Sequence, residues 1–360
     1  MDFDLPQDLL DLLAELDHFI AEVIEPLEQQ DDNVRFFDHR REDARTDWEN
    51  QGLPNEEWEL LLHKVKRLAD EAGFYRYPFP KEYGGRNGTN LGMAVIREHL
   101  ARRGLGLHND LQNEHSIVGN NVGLLLMIAY GTDEQKAEWI DDLAEGRRGF
   151  AFGITEPEHG SDATHMSTTA VRDGDEWVIN GEKTWNTGIH KAQYDMIMAR
   201  TSGKAGDGDG ITAFLVPTRS PGFEVVEYLW TFNMPTDHPR VSFTNVWVPE
   251  DARFGDEGRG LALAQAFVHE NRIRQAASSL GAADFCVQQS VAYARQRKPF
   301  GEELARNQGI QFPLVELATQ VEMLRLLIRK TAWEMDQMPH PDVEKRLSDK
   351  VSMCNYWANR

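Results

Sequence analysis

Residues 153–162 read GITEPEHGSD and group polar side chains that could contact a ligand. The segment carries three carboxylates, Glu156, Glu158 and Asp162, and two hydroxyls, Thr155 and Ser161, at what reads as the seam between two domains. Such groups can exchange hydrogen bonds with a polar ligand. The alternative is a solvated turn, which the proline, glycine and aspartate of the segment suit equally well. The surrounding sequence decides between the two.

Bulk composition excludes several classes of protein. Of 360 residues, 41% are apolar and 27% are charged, as is typical of globular proteins, and this length allows two or three domains. The net charge is −21, and an acidic surface repels nucleic acid and anionic lipid, so we expect neither as a partner. No run approaches the about 20 apolar residues that a membrane helix needs. The acidic start, MDFDLPQDLL, is unlike a signal peptide.

Cysteine and histidine usage adds two expectations. Cys286 and Cys354 both lie within helical patterns, which predicts no disulfide framework and a reducing compartment, the cytoplasm. His108 and His115 lack the spacing of metal ligands, so we predict no metal site.

The spacing of apolar residues divides the chain into three regions. Residues 1–149 and 257–360 have helical spacing, whereas residues 150–256 alternate with a period of two. We therefore predict an α+β multidomain protein. It has an N-terminal all-helical domain, a small central β-sandwich or barrel domain and a C-terminal helical bundle.

Local signals refine this prediction. GTDEQKAEWIDDLAEG reads as a helix capped by Thr132, and the charged stretch 31–52 reads as a solvated excursion between helices. In EWVINGEKTW, the pair Asn180-Gly181 predicts the turn of a two-stranded hairpin. Residues 240–249 read as a strand with its buried face formed by Val241, Phe243, Val246 and Val248.

The order of several motifs resembles that of the acyl-CoA dehydrogenase family. PKEYGG and GTDEQK come first, followed by GITEPEHGSD, WVINGEKTWNTG and RKPFGEELARNQGIQF. Each fragment alone is a weak signal, but their order and spacing together are specific and extend over nearly the whole chain. The resemblance implies the fold of that family and a flavoprotein with FAD as its cofactor.

The same resemblance implies an oxidoreductase of fatty acid or lipid metabolism. A base removes the proton at Cα of an acyl-CoA thioester while hydride leaves Cβ for flavin N5, which gives the 2-enoyl-CoA. Electrons then pass to an electron-transfer flavoprotein. Two alternatives stay open: a flavin-dependent oxidase or monooxygenase on the same scaffold, and a non-catalytic thioester-binding relative.

By resemblance, the flavin lies against the start of the β region. The aligned positions are Phe152, Ile154, Thr155, Ser161, Trp185 and Thr187. An indole face stacked on a flat ring contributes about 1 kcal/mol beyond burial. The alternative places Trp185 in the core of the β domain. Asn186 stands where the family usually has an apolar residue.

Arg297, Phe300 and Gln308 align with family positions that reach the flavin of a neighbouring subunit. The planar fork of an arginine suits a pyrophosphate, whereas the alternative is a solvated basic turn. The resemblance therefore implies at least a homodimer, and the usual assembly of the family is a homotetramer.

Two further segments align with substrate contacts. From VHENRI and the first motif we expect substrate binding by Ser161, His269, Glu270, Asn271 and Arg272. The alternative for VHENRI is an ion pair on a helix surface. Residues 112–123 align with the acyl end of the pocket. They contain four polar side chains, Glu114, His115, Asn120 and Asn121. These indicate a short or functionalised acyl group or, alternatively, a face turned to solvent.

The resemblance leaves the catalytic base unassigned. Most members of the family carry a glutamate beyond the position of Arg360, and a minority carry it on the helix after the β region, where this chain has Asn271. An amide cannot accept the proton. The adjacent Glu270 is the remaining candidate, although one residue along a helix points about 100° away. The helical pattern runs to Arg360 without a cap, which favours a longer full-length enzyme over an active-site-deficient relative.

Overall fold

The structure is a computed structural model that describes residues 4–110, 115–231 and 234–360. The expected order of helical, β and helical regions is confirmed. The helices are α1 (Gln7–Phe19), α2 (Glu25–Gln29), α3 (Glu56–Glu71), α4 (Asn90–Ala101), α5 (Val122–Tyr130), α6 (Asp133–Ala144), α7 (Gly260–Gln296), α8 (Gln308–Asp336) and α9 (His340–Ala358). Within the described ranges, no helix combines the length and the apolar character needed to cross a bilayer.

The described residues form two compact units. The helical unit comprises the chain up to Val34 together with Leu62–Asn120 and Val268–Arg360. The sheet unit comprises Arg35–Leu61 and Asn121–Phe267. Both units are therefore assembled from segments that are distant in sequence.

One mixed sheet forms the core of the sheet unit. Its strands run in the order β10-β7-β6-β4-β5-β9-β8, and β3 pairs in parallel with β6. The predicted inner face of β9 is confirmed, since Val241, Phe243, Val246 and Val248 are all buried. The strands of this sheet, and of a separate two-stranded β1–β2 sheet, are β1 (Thr46–Asp47), β2 (Leu53–Pro54), β3 (Phe150–Gly153), β4 (Thr169–Asp173), β5 (Glu176–Thr184), β6 (Tyr194–Arg200), β7 (Ile211–Pro217), β8 (Phe223–Thr231), β9 (Met234–Pro249) and β10 (Arg253–Phe254).

The predicted hairpin turn at Asn180-Gly181 is wrong. These residues lie inside β5, at an irregularity in its pairing with β9, and the turn lies instead at Gly174, between β4 and β5. A Cβ on Gly181 would lie 2.5 Å from Thr168 Oγ1, and its φ is +143°. Gly181 is therefore required by a β-bulge and a close approach of the two strands.

The charged stretch 31–52 is solvated over about half of its described residues, as predicted, but part of it packs within the sheet unit. It folds into short 3₁₀ turns and the strand β1, and Phe36 and Arg45 are buried. The Arg45 guanidinium lies over the rings of Phe37 and Trp58, at 4.9 and 4.5 Å. Cation–π contacts of this kind let a charged segment cover an aromatic cluster.

The helical unit is held together by apolar packing and one ionic cluster. Buried side chains of α4, α7, α8 and α9 form its core. On the same helices, Glu98 pairs with Arg325 at 2.5 Å and with Arg329 at 3.0 Å, and Arg325 also pairs with Asp284 at 2.7 Å. These contacts fix α7, on which several candidate residues lie.

In α6, which belongs to the sheet unit, the predicted cap at Thr132 is confirmed as a capping box with Gln135.

Candidate functional site

The GITEPEHGSD segment leaves the sheet at the end of β3 and passes the end of β5. The backbone N–H of Thr184 donates to the carbonyl of Thr155 at 2.9 Å. This bond holds Thr155 beside the segment that carries Trp185. The two motifs are therefore brought together at one edge of the sheet unit, where the strands β3 and β5 end.

Glu156 closes this junction rather than facing a ligand. Its carboxylate accepts from Lys183 Nζ at 2.9 Å, from the backbone and hydroxyl of Ser167 at 2.7 and 2.6 Å, and from Thr168 N at 2.9 Å. Burial alone would raise the pKa of Glu156, but the charge of Lys183 and the donated bonds lower it to about 2. Burial lowers the pKa of Lys183 to about 8, which leaves it protonated at neutral pH. The buried salt bridge between Glu156 and Lys183 is therefore structural, and we call this pair the lock.

Trp185 lies at the surface, so the alternative that places it in the sheet core is wrong. The residue exposes 46% of its surface and has a φ of +66°. The turn that follows is anchored to β9, because Asn186 N donates to Pro239 O at 3.3 Å and Gly188 N to Asp237 O at 2.8 Å. A strained backbone held by such anchors presents the indole face outwards.

A buried acid–amide pair lies under this turn. Asn186 Nδ2 donates to Asp195 Oδ2 at 2.5 Å, and both side chains are fully buried. The Oδ1 atoms of both residues have no hydrogen-bond partner within the described chain. Burial raises the pKa of Asp195 to about 7, against the opposing effects of the Asn186 bond and the Lys183 charge.

The other residues predicted along the flavin differ in what they can offer. Phe152 is half-buried and stacks on Phe267, with ring centroids 4.2 Å apart. The carbonyl of Ile154 accepts from Lys183 Nζ at 3.2 Å. In the part of the chain that the structure describes, the hydroxyls of Thr155 and Ser161 have no partner. Thr187 is the exception among the hydroxyls, because its Oγ1 lies 2.9 Å from His238 Nδ1.

Three predicted residues lie at the surface of the helical unit. Arg297 and Phe300 are in the connection between α7 and α8, and Gln308 is the first residue of α8. Phe300 is fully exposed and has a φ of +56°. The Arg297 guanidinium has no acidic partner among the described residues. An exposed aromatic ring next to an unpaired arginine is available to another molecule.

The predicted substrate segment on α7 has each side chain in a different setting. His269 is buried, with Nε2 3.0 Å from Ser348 Oγ, and Arg272 Nη1 lies 3.5 Å from Ser352 Oγ. Glu270 forms a buried pair with Arg274 at 2.9 Å, so its carboxylate is occupied and we withdraw it as the base. Asn271 Oδ1 accepts from Asn120 Nδ2 at 3.0 Å.

The polar stretch before α5 packs inwards over residues 115–120. Asn120 is half-buried and takes part in the contact with Asn271, which contradicts the solvent-facing alternative for this residue. The side chain of His115 is 11% exposed and lies 3.5 Å from Asp110. Asn121 has a φ of +45° before α5. Glu114 lies outside the described residues.

Sequence reasoning missed Lys183, Asp195 and the contacts that Arg97 and Arg274 make with Asn120. Lys183 is in phase with the buried Trp177 and Ile179, so the period of two already indicates a lysine on an inner face, where an ionic partner is required. Asp195 is an acid within the apolar run of β6. Arg97 and Arg274 carry no such signal, because their partner lies elsewhere in the chain.

Comparison with known families agrees with this arrangement. Residues 7–147 match the acyl-CoA dehydrogenase N-terminal domain, residues 151–246 the middle domain, and residues 258–360 the C-terminal domain of the same family. The three matches together span nearly the whole chain.

Individual relatives are similar over most of their length. Glutaryl-CoA dehydrogenase of Desulfococcus multivorans is 30% identical over 365 residues, which cover 99% of this chain and 84% of the relative. Subunit CarC of the caffeyl-CoA reductase-Etf complex of Acetobacterium woodii is 31% identical, with 83% and 75% covered. The solved structure of butyryl-CoA dehydrogenase from Megasphaera elsdenii has a TM-score of 0.76 at 26% identity and covers 99% and 85%.

Proposed function

The chain belongs to the acyl-CoA dehydrogenase family, whose members are FAD flavoproteins, and we propose that it oxidises an acyl-CoA thioester to the 2-enoyl-CoA. The observation that carries the proposal is the exposed Trp185 beside the free Thr155 hydroxyl. Both are held by the lock between Glu156 and Lys183.

The residues at the edge fit FAD. The open face of Trp185 can stack on a flat ring. The hydroxyls of Thr155 and Ser161 can donate to polar ring atoms and to the pyrophosphate. A Cβ on Gly160 would meet no atom within 4 Å, so the approach to the loop is clear. Phe152, Ile154 and Thr187 complete the proposed contact surface.

When bound, FAD supplies the oxidant, accepting the hydride that leaves Cβ as Cα loses a proton. Trp185 and Thr155 orient the ring, and the lock beneath them keeps the edge from shifting between turnovers. Ser161, His269, Asn271 and Arg272 are proposed substrate contacts. Asn271 is an amide and Glu270 is tied to Arg274, so we assign the proton acceptor to neither residue.

We propose that the protein assembles at least as a homodimer, and as a homotetramer by analogy with its family. The exposed Phe300 and Arg297, with Gln308, are proposed to reach the flavin of the partner. A groove of about 770 Å³ between α7, α8 and α9, with apolar residues such as Leu317 and Leu324 in its lining, supports a further contact. Large apolar faces of this kind are typical of interfaces.

The electron acceptor is proposed to be an electron-transfer flavoprotein. The Acetobacterium relative, which is named as part of an Etf complex, supports this partner. We place the reaction in fatty acid or lipid metabolism in the cytoplasm, which the unpaired and exposed Cys286 supports, because such thiols persist in reducing compartments.

The test is an anaerobic titration of the FAD-loaded protein with a panel of acyl-CoA thioesters. Loss of the flavin absorbance, with formation of an enoyl-CoA and no need for oxygen, supports the proposal. Rapid formation of hydrogen peroxide or of a hydroxylated product under air indicates the oxidase or monooxygenase instead. A protein that takes up no FAD indicates the non-catalytic relative.

A further inference from the structure

We propose that Asn271 presents a fixed amide N–H donor that selects acyl groups carrying an acceptor oxygen. The inference rests on the proposed function, which assigns the segment around Asn271 to the substrate. It adds a substrate class to that function. A series of hydrogen bonds within the helical unit fixes this donor.

The series of hydrogen bonds begins at two arginines that face one amide oxygen. Arg274 Nη1 donates to the Asn120 carbonyl at 2.6 Å and to Asn120 Oδ1 at 3.1 Å, while its Nη2 pairs with Glu270 at 2.9 Å. Arg97 Nη2 donates to Val118 O at 2.9 Å and lies 3.4 Å from Asn120 Oδ1. Both arginines are buried.

This arrangement fixes the orientation of both amides. A guanidinium can only donate, so the Asn120 atom that faces Arg97 and Arg274 must be its oxygen. The nitrogen of Asn120 therefore points to Asn271, whose oxygen accepts at 3.0 Å. Amide orientation is usually ambiguous, but here the network settles it.

The last group in this series of hydrogen bonds is the amide nitrogen of Asn271, which is a free donor. Across the residues that the structure describes, nothing accepts a hydrogen bond from Asn271 Nδ2, and the residue is only half-buried. Rotating the amide would break its bond to Asn120. Asn271 therefore presents its N–H groups, while its oxygen is engaged by Asn120.

A fixed donor distinguishes acyl groups by their chemistry. An acyl group with an oxo, hydroxyl or carboxylate oxygen can pair with it. A plain hydrocarbon that covers the donor leaves it unsatisfied, which is unfavourable. The shared feature of the selected substrates is the acceptor oxygen, whether charged or neutral.

The experiment measures the affinity of the FAD-loaded protein for three five-carbon thioesters under anaerobic conditions. Pentanoyl-CoA has no acceptor oxygen on its chain, glutaryl-CoA has a carboxylate and 4-oxopentanoyl-CoA has a neutral carbonyl. We expect one or both of the last two to bind more tightly than pentanoyl-CoA. The better of the two identifies the charge of the preferred oxygen.

The variant Asn271→Leu should lower the affinity for the preferred thioester by about 5- to 20-fold and should raise the affinity for pentanoyl-CoA, because the donor that a hydrocarbon leaves unsatisfied is gone. Asn271→Asp, which keeps the shape, should weaken glutaryl-CoA further by charge repulsion. Gln275→Leu, an exposed amide one turn further along α7, is the control and should change nothing. Equal preference in wild type and Asn271→Leu would overturn the inference alone, whereas failure to bind any thioester would overturn the proposed function.

Discussion

Glu156 in the sheet unit and Asn271 in the helical unit both lie in motif-bearing segments, but the fold uses them in opposite ways. Glu156 accepts from Lys183, Ser167 and Thr168 and is left with no open position towards a ligand. Asn271 has its oxygen bound to Asn120 and its nitrogen open. The first is a structural lock and the second is a candidate contact.

The difference shows that a polar residue in a motif is assigned by its remaining hydrogen-bond capacity. The groups that bind Glu156 all belong to the sheet unit and are 11 to 27 residues distant in sequence. The partner of Asn271 is 151 residues distant. A saturated carboxylate resists change, whereas an open amide responds to a ligand, and the predictions below exploit this contrast.

Removal of Lys183 should have the largest effect. Lys183→Met leaves Glu156 buried without its counter-charge, so we expect the free energy of unfolding to fall by about 3–5 kcal/mol. Denaturant unfolding measures this change. Lys183→Met combined with Glu156→Gln should recover part of the loss, and a single variant as stable as the wild type would show that the lock does not exist.

Gly181→Ala tests the same lock from the neighbouring strand. The added Cβ would lie 2.5 Å from Oγ1 of Thr168, the residue whose backbone N–H donates to Glu156. We expect a loss of about 2–3 kcal/mol from the clash and the unfavourable φ. Gly174→Ala is the matched control, since its Cβ meets nothing within 4 Å, and it should cost about 1 kcal/mol. Equal losses would argue against the close approach.

Much of the fold was predictable because it rests on local periodicity and caps. Thr132, the inner face of β9 and the long helices after Gly260 all follow from patterns of a few residues. The Asn180-Gly181 turn was wrong because a bulge and a tight hairpin call for the same small residues. The exposure of Trp185 and the link from Asn120 to Asn271 depend on tertiary contacts, which no local pattern records.

Asp195 should make stability depend on pH. Its pKa is raised from the ordinary 3.8 to about 7, so the folded protein binds this proton more tightly than the unfolded chain does. The contribution of Asp195 to the free energy of unfolding is therefore fully present below pH 3.8 and is lost as pH rises through about 7. Asp195→Asn keeps the bond to Asn186 without a charge and should raise stability at pH 8 by about 1–3 kcal/mol.

The control for this prediction is Asp175→Asn, in the exposed turn between β4 and β5. Thermal unfolding of both variants between pH 5 and pH 8 provides the measurement. A flattened profile for Asp195→Asn alone is expected. An unchanged profile would mean that Asp195 titrates as an ordinary surface carboxylate does.

The smallest expected effect tests the central claim most directly. We predict that Trp185→Ala raises the dissociation constant of FAD about fivefold, which corresponds to the loss of about 1 kcal/mol of ring stacking. The melting temperature of the apo protein should change little, because the side chain is already exposed. Trp247→Ala, on β9 with 48% of the residue exposed, is the matched control and should bind FAD as the wild type does. If both variants bind FAD equally well, the flavin does not lie against Trp185 and the proposed site is wrong.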